Sequence, residues 1–127
     1  MDITEGEVCP LNAENFEQVI ESTPIVFVEF WATWCVPCTQ FAKVYAQVAK
    51  ANPNILFASV DVEQVSTLSE LFEIRSVPYV MVFKEGIAIY SDAGVLPESA
   101  LKELVEQAVA VDVSEIRSQL NTEQDER

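Results

Sequence analysis

Histidine is absent from this 127-residue chain, and that one absence removes several chemistries. Neither a Ser-His nor a Cys-His nucleophile pair can be built, and no zinc site that uses an imidazole. Basic residues are scarce as well. Lys43, Lys50, Arg75, Lys84, Lys102, Arg117 and Arg127 stand against 21 Asp and Glu, a formal net charge of −14. Nucleic acid and anionic membrane surfaces would repel such a chain, so neither is expected as a partner. The acidity reads as a solubility surface or, more sharply, as a selector of basic partner surfaces. No apolar run approaches the roughly 18 residues needed to span a bilayer. The longest, Ile25 to Trp31, is interrupted by Glu29. The opening Met1-Asp2-Ile3-Thr4-Glu5 has neither the basic patch nor the apolar stretch of a secretory leader. A soluble, cytoplasmic monomer is the expectation.

Cysteine is sparse too: Cys9, Cys35 and Cys38. Three cannot all pair, and a reducing cytosol keeps structural disulfides from forming. The two-residue gap between Cys35 and Cys38 therefore points to redox chemistry or to metal binding. A zinc ion needs four ligands, and the chain offers two neighbouring thiols plus the distant Cys9. A metal-bridged dimer would need a second chain, so neither metal nor cofactor is expected. Cys9 reads as a small core residue near the first strand, with a reactive or dimer-forming thiol as the alternative.

What is present is globular: apolar residues make up 50% and charged residues 22%, enough for one domain with its own core. A weak strand falls around Glu7 to Pro10. Asn12 can cap a helix from about Ala13 to Glu21, with Phe16, Val19 and Ile20 on one face, and Pro24 breaks it. Ile25 to Trp31, β-branched and aromatic, reads as a central strand. Phe41, Val44, Tyr45 and Val48 recur at helical spacing after the Cys pair, predicting a helix to about Lys50. Asn52-Pro53-Asn54 ends it by turn chemistry. Ile55 to Val62 is a second buried strand, completing a parallel, right-handed βαβ unit. Val65, Leu68, Leu71 and Phe72 predict a shorter helix. Tyr79 to Phe83 and Ile87 to Tyr90 form a hairpin through Lys84-Glu85-Gly86. Pro97 begins a last long helix with Leu101, Leu104, Val105 and Ala108 on one stripe. The fold class is α/β, a central mixed sheet with helices on both faces. Residues 1–111 form the domain. Residues 112–127 are an acidic extension, a short helix on Val113, Ile116 and Leu120 or disordered, with Asn121 to Arg127 expected to fray.

Two cysteines three positions apart at a helix start lie on adjoining parts of one turn, so their sulfurs can join or separate with little backbone motion. The first sulfur sits where unpaired N–H groups and the helix macrodipole favour an anion. Cys35 is thereby the attacking thiolate and Cys38 the resolving thiol. Pro37 suits the first turn, which tolerates its missing N–H. The pair follows directly on a central strand, at the carboxyl end where open α/β sheets place their sites.

Phe30-Trp31-Ala32-Thr33-Trp34-Cys35-Val36-Pro37-Cys38 resembles the active-site stretch of the thioredoxin family, whose usual motif is Trp-Cys-Gly-Pro-Cys. Arg75-Ser76-Val77-Pro78 falls where that family carries its cis-proline loop. The likeness continues through Phe83-Lys84-Glu85-Gly86 and Gly94 into the closing helix, about Val8 to Ala110 in all. It implies a thioredoxin fold and a protein-disulfide reductase with no bound cofactor. Electrons would pass from a reductase to disulfide-containing client proteins. It also implies a cis Pro78 beside the Cys pair, with Val77 offering its backbone to an extended client; a trans proline opening a strand is the plain alternative. Thiols so placed have pKa values of roughly 3.5–7.5, thioredoxin's own among the known cases.

Several positions depart from the pattern. Glu29 stands where thioredoxins usually have a buried aspartate, and the lysine that commonly partners it is replaced by Ser59. Glu29 is read as a general base for Cys38 through water, or else as an inward glutamate satisfied by Ser59 or Thr39. With no cation near, its pKa should be raised. Val36 replaces the usual glycine between the thiols and narrows the approach to Cys35. Lys43 stands at the place of a kinking proline, so the helix should be straighter. Trp34 is read as a client platform, Trp31 as packing, and Arg75 as a solvated loop charge. The candidate client-binding set is Trp34, Val36, Pro37, Val77 and Pro78. Competing readings are a disulfide oxidase or isomerase, and a redox-gated or non-catalytic binding module.

Overall fold

The computed structural model describes residues 6–125. Five strands form one sheet: β1 (Val8–Pro10), β2 (Ile25–Trp31), β3 (Leu56–Asp61), β4 (Tyr79–Lys84) and β5 (Ile87–Ala93). Their order across the sheet is β1-β3-β2-β4-β5. β1 and β2 pair parallel with β3, whereas β4 pairs antiparallel with β2 and with β5. β2 thus lies at the centre with a parallel neighbour on one side and an antiparallel one on the other, the mixed sheet expected. Among the described residues five helices accompany the sheet: α1 (Phe16–Ser22), α2 (Val36–Ala51), α3 (Ser66–Leu71), α4 (Glu98–Ala110) and α5 (Ser114–Asp125).

Alternation along the strands divides the core in two. Val26, Val28 and Phe30 point to one face, where Phe16, Val19 and Ile20 of α1 and Leu68 of α3 cover them. Phe27 points to the other, beneath Phe41, Tyr45 and Val48 of α2 and Leu101, Leu104 and Val105 of α4. By the same alternation Glu29 belongs to the α2 face. In register it stands between Ser59 of β3 and Val80 of β4.

Three expectations need correction. The first helix begins at Phe16, not Ala13. Asn12 Oδ1 accepts the backbone N–H groups of Glu14 and Asn15, both at 2.9 Å, and this Asx turn occupies the residues before the helix. Leu71 is exposed rather than buried. α3 ends there, and Glu73 at φ 53° turns the chain away; Phe72 instead packs its ring against Phe16 and Phe30. The extension is helical to Asp125, so the fraying expected from Asn121 is not seen over 121–125; residues 126 and 127 lie outside the described residues. Val113 is buried and Ile116 exposed. α2 runs unbroken through Lys43, and Pro97 stands as the N-cap of α4.

The β4–β5 hairpin turns on Glu85 and Gly86, with φ of 51° and 81°. Positive φ at both central residues is what a two-residue type I′ loop needs, and glycine makes one of them easy. Lys84 at the end of β4 then reaches across to the C-terminus of α4. Its Nζ donates to the carbonyls of Ala108, Val109 and Val111 at 2.8, 2.9 and 2.6 Å. Those carbonyls have no partner within the helix, and a cation there also complements the macrodipole. Arg117 of α5 donates to the carbonyl of Glu85 in the same hairpin.

Lys84→Met keeps the aliphatic stem and removes these charged donors. Urea unfolding should show a loss of about 2 kcal/mol at unchanged m-value; an unmoved midpoint would contradict the capping role.

Candidate active site

β2 ends at Trp31, and four residues later the chain enters α2 with Cys35 as its N-cap in an extended conformation, φ −90° and ψ 103°. Val36 and Pro37 form the first turn, where a missing N–H costs nothing. Cys38 N–H donates to Cys35 Sγ at 3.2 Å, so sulfur takes the place that a serine or aspartate oxygen usually fills at a cap. Cys35 and Cys38 are joined by a disulfide, their Cα atoms 5.2 Å apart. Both are buried, whereas the flanking Trp34 and Val36 are 68% and 70% exposed. Trp31 is half-buried. The Val77–Pro78 bond is cis, and the Val77 carbonyl oxygen lies 3.7 Å from Cys35 Sγ. Arg75 is exposed in the loop before it.

Cys38, Glu29, Ser59 and Thr39 line one cavity of about 420 Å³ between α2 and the sheet. Glu29 is 3% exposed. Neither hydroxyl satisfies it: among the described residues Oε1 has no hydrogen-bond partner, which removes the reading of a glutamate held by Ser59 or Thr39. An unmade hydrogen bond on a buried polar group costs about 1–3 kcal/mol. Burial pushes the Glu29 carboxyl from its ordinary 4.5 up to about 7. Tyr45 is fully buried on α2 and donates to the Ala58 carbonyl at 2.8 Å. Burial first, and the Glu29 charge second, push its phenol well above the ordinary 10, against the hydrogen bond to Ala58.

Cys35, Cys38 and Val77 therefore converge, with the cis Pro78 next in the chain and Trp34 and Val36 exposed beside the cysteines, and Glu29 lies behind Cys38 on the cavity. Cys9 is a free, buried thiol in the opposite core, and burial raises its pKa. No three Cys, Asp or Glu side chains among the described residues come together as a metal site. What sequence reasoning missed is the cavity. Its signal was the pair Ala42 and Ala46, one turn apart on α2, too short to fill the space above Glu29 and Ser59.

A disulfide-forming Cys-x-x-Cys at the start of a helix, at the carboxyl end of the central strand, defines a thiol–disulfide oxidoreductase. The family model described as Thioredoxin matches residues 7–107. "Putative thioredoxin 2" of Streptomyces coelicolor is 40% identical over 114 residues, covering 90% of this chain and 85% of its own. Oxidised thioredoxin from Plasmodium falciparum superposes with a TM-score of 0.73 at 33% identity, over 82% of this chain and all of that one. A thioredoxin f2, solved in complex with ferredoxin:thioredoxin reductase, has a TM-score of 0.78 at 21% identity, over 85% of this chain and 100% of that one; it speaks for the fold alone. The chain belongs to the thioredoxin family and is a thioredoxin-type disulfide reductase.

The Glu29 shift has a sign that can be checked. The folded value lies above the unfolded one, so its contribution is fully present below about pH 4.5 and is lost as pH rises through about 7. Wild-type stability relative to Glu29→Gln should fall by about 3 kcal/mol across that window. A difference that does not change with pH would refute the assignment.

Proposed function

We propose that Cys35 is the nucleophile and Cys38 the resolving thiol of a reductase that acts on protein disulfides in the cytoplasm, working as a monomer. The observation that carries the reading is the cap itself: one sulfur occupies the N-terminus of a 16-residue helix and accepts the Cys38 N–H. A thiolate there is stabilised by the unpaired helix N–H groups and the macrodipole. It attacks one sulfur of the client disulfide, forming a mixed disulfide and expelling the other client sulfur as thiolate. Cys38, deprotonated, then attacks Cys35 Sγ. The Cys35–Cys38 bond forms, the mixed disulfide breaks, and the client leaves with both sulfurs reduced. The dithiol of a reductase returns the pair to the reduced state by the reverse exchange.

The remaining site residues take supporting roles in this reading. Trp34, exposed and rigid, is the platform on which a client strand rests, with Val36 and Pro37 at its edge. Val77 and Pro78 form the facing wall, where the Val77 backbone meets an extended client peptide. Glu29 accepts the Cys38 proton through water in the cavity; near pH 7 a useful fraction of its carboxyl is ionised, which suits a base working at that pH. Cysteine usage supports a reducing compartment. The chain has one redox pair and one buried free thiol, with no other disulfide.

Turnover of a protein disulfide by a dithiol reductant tests the roles directly. Cys35→Ser should abolish catalysis, and Cys38→Ser should accumulate mixed disulfides with clients. Trapping by Cys35→Ser through Cys38 would reverse the assignment. Glu29→Gln should slow client release at least about 10-fold, with formation of the mixed disulfide unchanged.

A further inference from the structure

The cavity behind Cys38 has features that disulfide exchange does not require. Its volume, about 420 Å³, lies within the range of small-molecule sites. Apart from Glu29 and the indole of Trp31 it is walled by short side chains, and its lining includes no basic residue. Thr39, Ala42 and Ala46 lie along one face of α2 and are themselves exposed, so the cavity opens to solvent beside the helix. At its inner end sits a carboxyl group that is 3% exposed and whose Oε1 has no partner. The cavity does not include Cys35, Val77 or Pro78, so whatever enters it does not occupy the proposed client side.

A ligand complementary to this space needs N–H donors for the carboxyl and an apolar body for the walls. An anion meets both Glu29 and a chain of net charge −14. A bare metal ion finds no three convergent ligands among the described residues. We propose that the cavity binds a small organic cation, a primary ammonium on a short apolar stem. The ammonium donates to the Glu29 carboxylate and the stem lies against Ala42 and Ala46. The hydroxyls of Ser59 and Thr39 are placed to accept a remaining N–H.

The probe is n-butylammonium, with 1-butanol and butyrate as neutral and anionic controls. Each is titrated into the full oxidised chain at about pH 8, above the Glu29 value of about 7, with backbone amide shifts followed by NMR. Saturable shifts are expected at Thr39, Ala42, Ala46 and Ser59, with the ammonium at least about 10-fold tighter than the alcohol and butyrate silent. Glu29→Gln should bring the ammonium down to the level of the alcohol, and Ala46→Leu should weaken both by filling the space. Equal affinity for ammonium and alcohol would overturn the proposal. So would ammonium shifts that spread over the acidic surface and persist in Glu29→Gln. Should Glu29→Gln fail to fold, Ser59→Lys carries the test. It places a tethered ammonium one strand from Glu29 in register, and undiminished butylammonium binding in that variant would refute the site. Binding is read here without any exchange reaction, so its failure and a failure of the Cys35 and Cys38 roles are separable.

Discussion

The hydrogen bond from the Cys38 N–H to Cys35 Sγ is the contact on which the rest of the site depends. It makes a cysteine do the work of an N-cap, and so binds the redox sulfur to the start of α2. That start is placed in turn by β2, the central strand, which fixes where the chain leaves the sheet. Parallel pairing of β2 with β3 requires a crossover, and α2 is that crossover. Helix end, sulfur pair and carboxyl edge of the sheet therefore coincide as a consequence of chain direction.

Glu29 belongs to the same geometry and works against stability. Alternation puts it on the α2 face between Ser59 and Val80, beneath a helix that offers it no donor. Its displacement from 4.5 to about 7 corresponds to about 3 kcal/mol once the group is ionised. Against a typical domain stability of about 5–15 kcal/mol that is a large local burden. An apolar residue would pack there without it, so folding alone does not account for the position, whereas the role proposed for it at Cys38 would.

Most of the architecture was legible because it is local. The β-branched run from Ile25 to Trp31 matches β2 residue for residue, and the stripe of Leu101, Leu104, Val105 and Ala108 is the buried face of α4. The Cys pair was legible from spacing and its neighbours; the cis bond at Pro78 came through the family resemblance, since nothing local distinguishes it from a trans proline. Errors arose where a side chain competes with periodicity. Asn12 satisfies the N–H groups of Glu14 and Asn15 and holds α1 back to Phe16. Leu71 has helical spacing, but α3 is too short to keep it facing the core. The cavity could not be read because it is defined by what Ala42, Ala46 and Ser59 fail to fill, and empty space depends on α2 and three strands at once.

The two thiols are acted on by different parts of the fold. Cys35 meets the helix terminus and the Val77 carbonyl, and does not line the cavity; Cys38 lines the cavity with Glu29. On the proposed roles, the nucleophile is governed by helix electrostatics, which depend on backbone direction and vary little with side-chain chemistry. The resolving thiol is governed by a buried carboxyl, which any donor entering the cavity would change. The attack on a client and its release can therefore be altered independently. Val36, exposed between the cysteines, touches the first step only, and the residues around Glu29 touch the second.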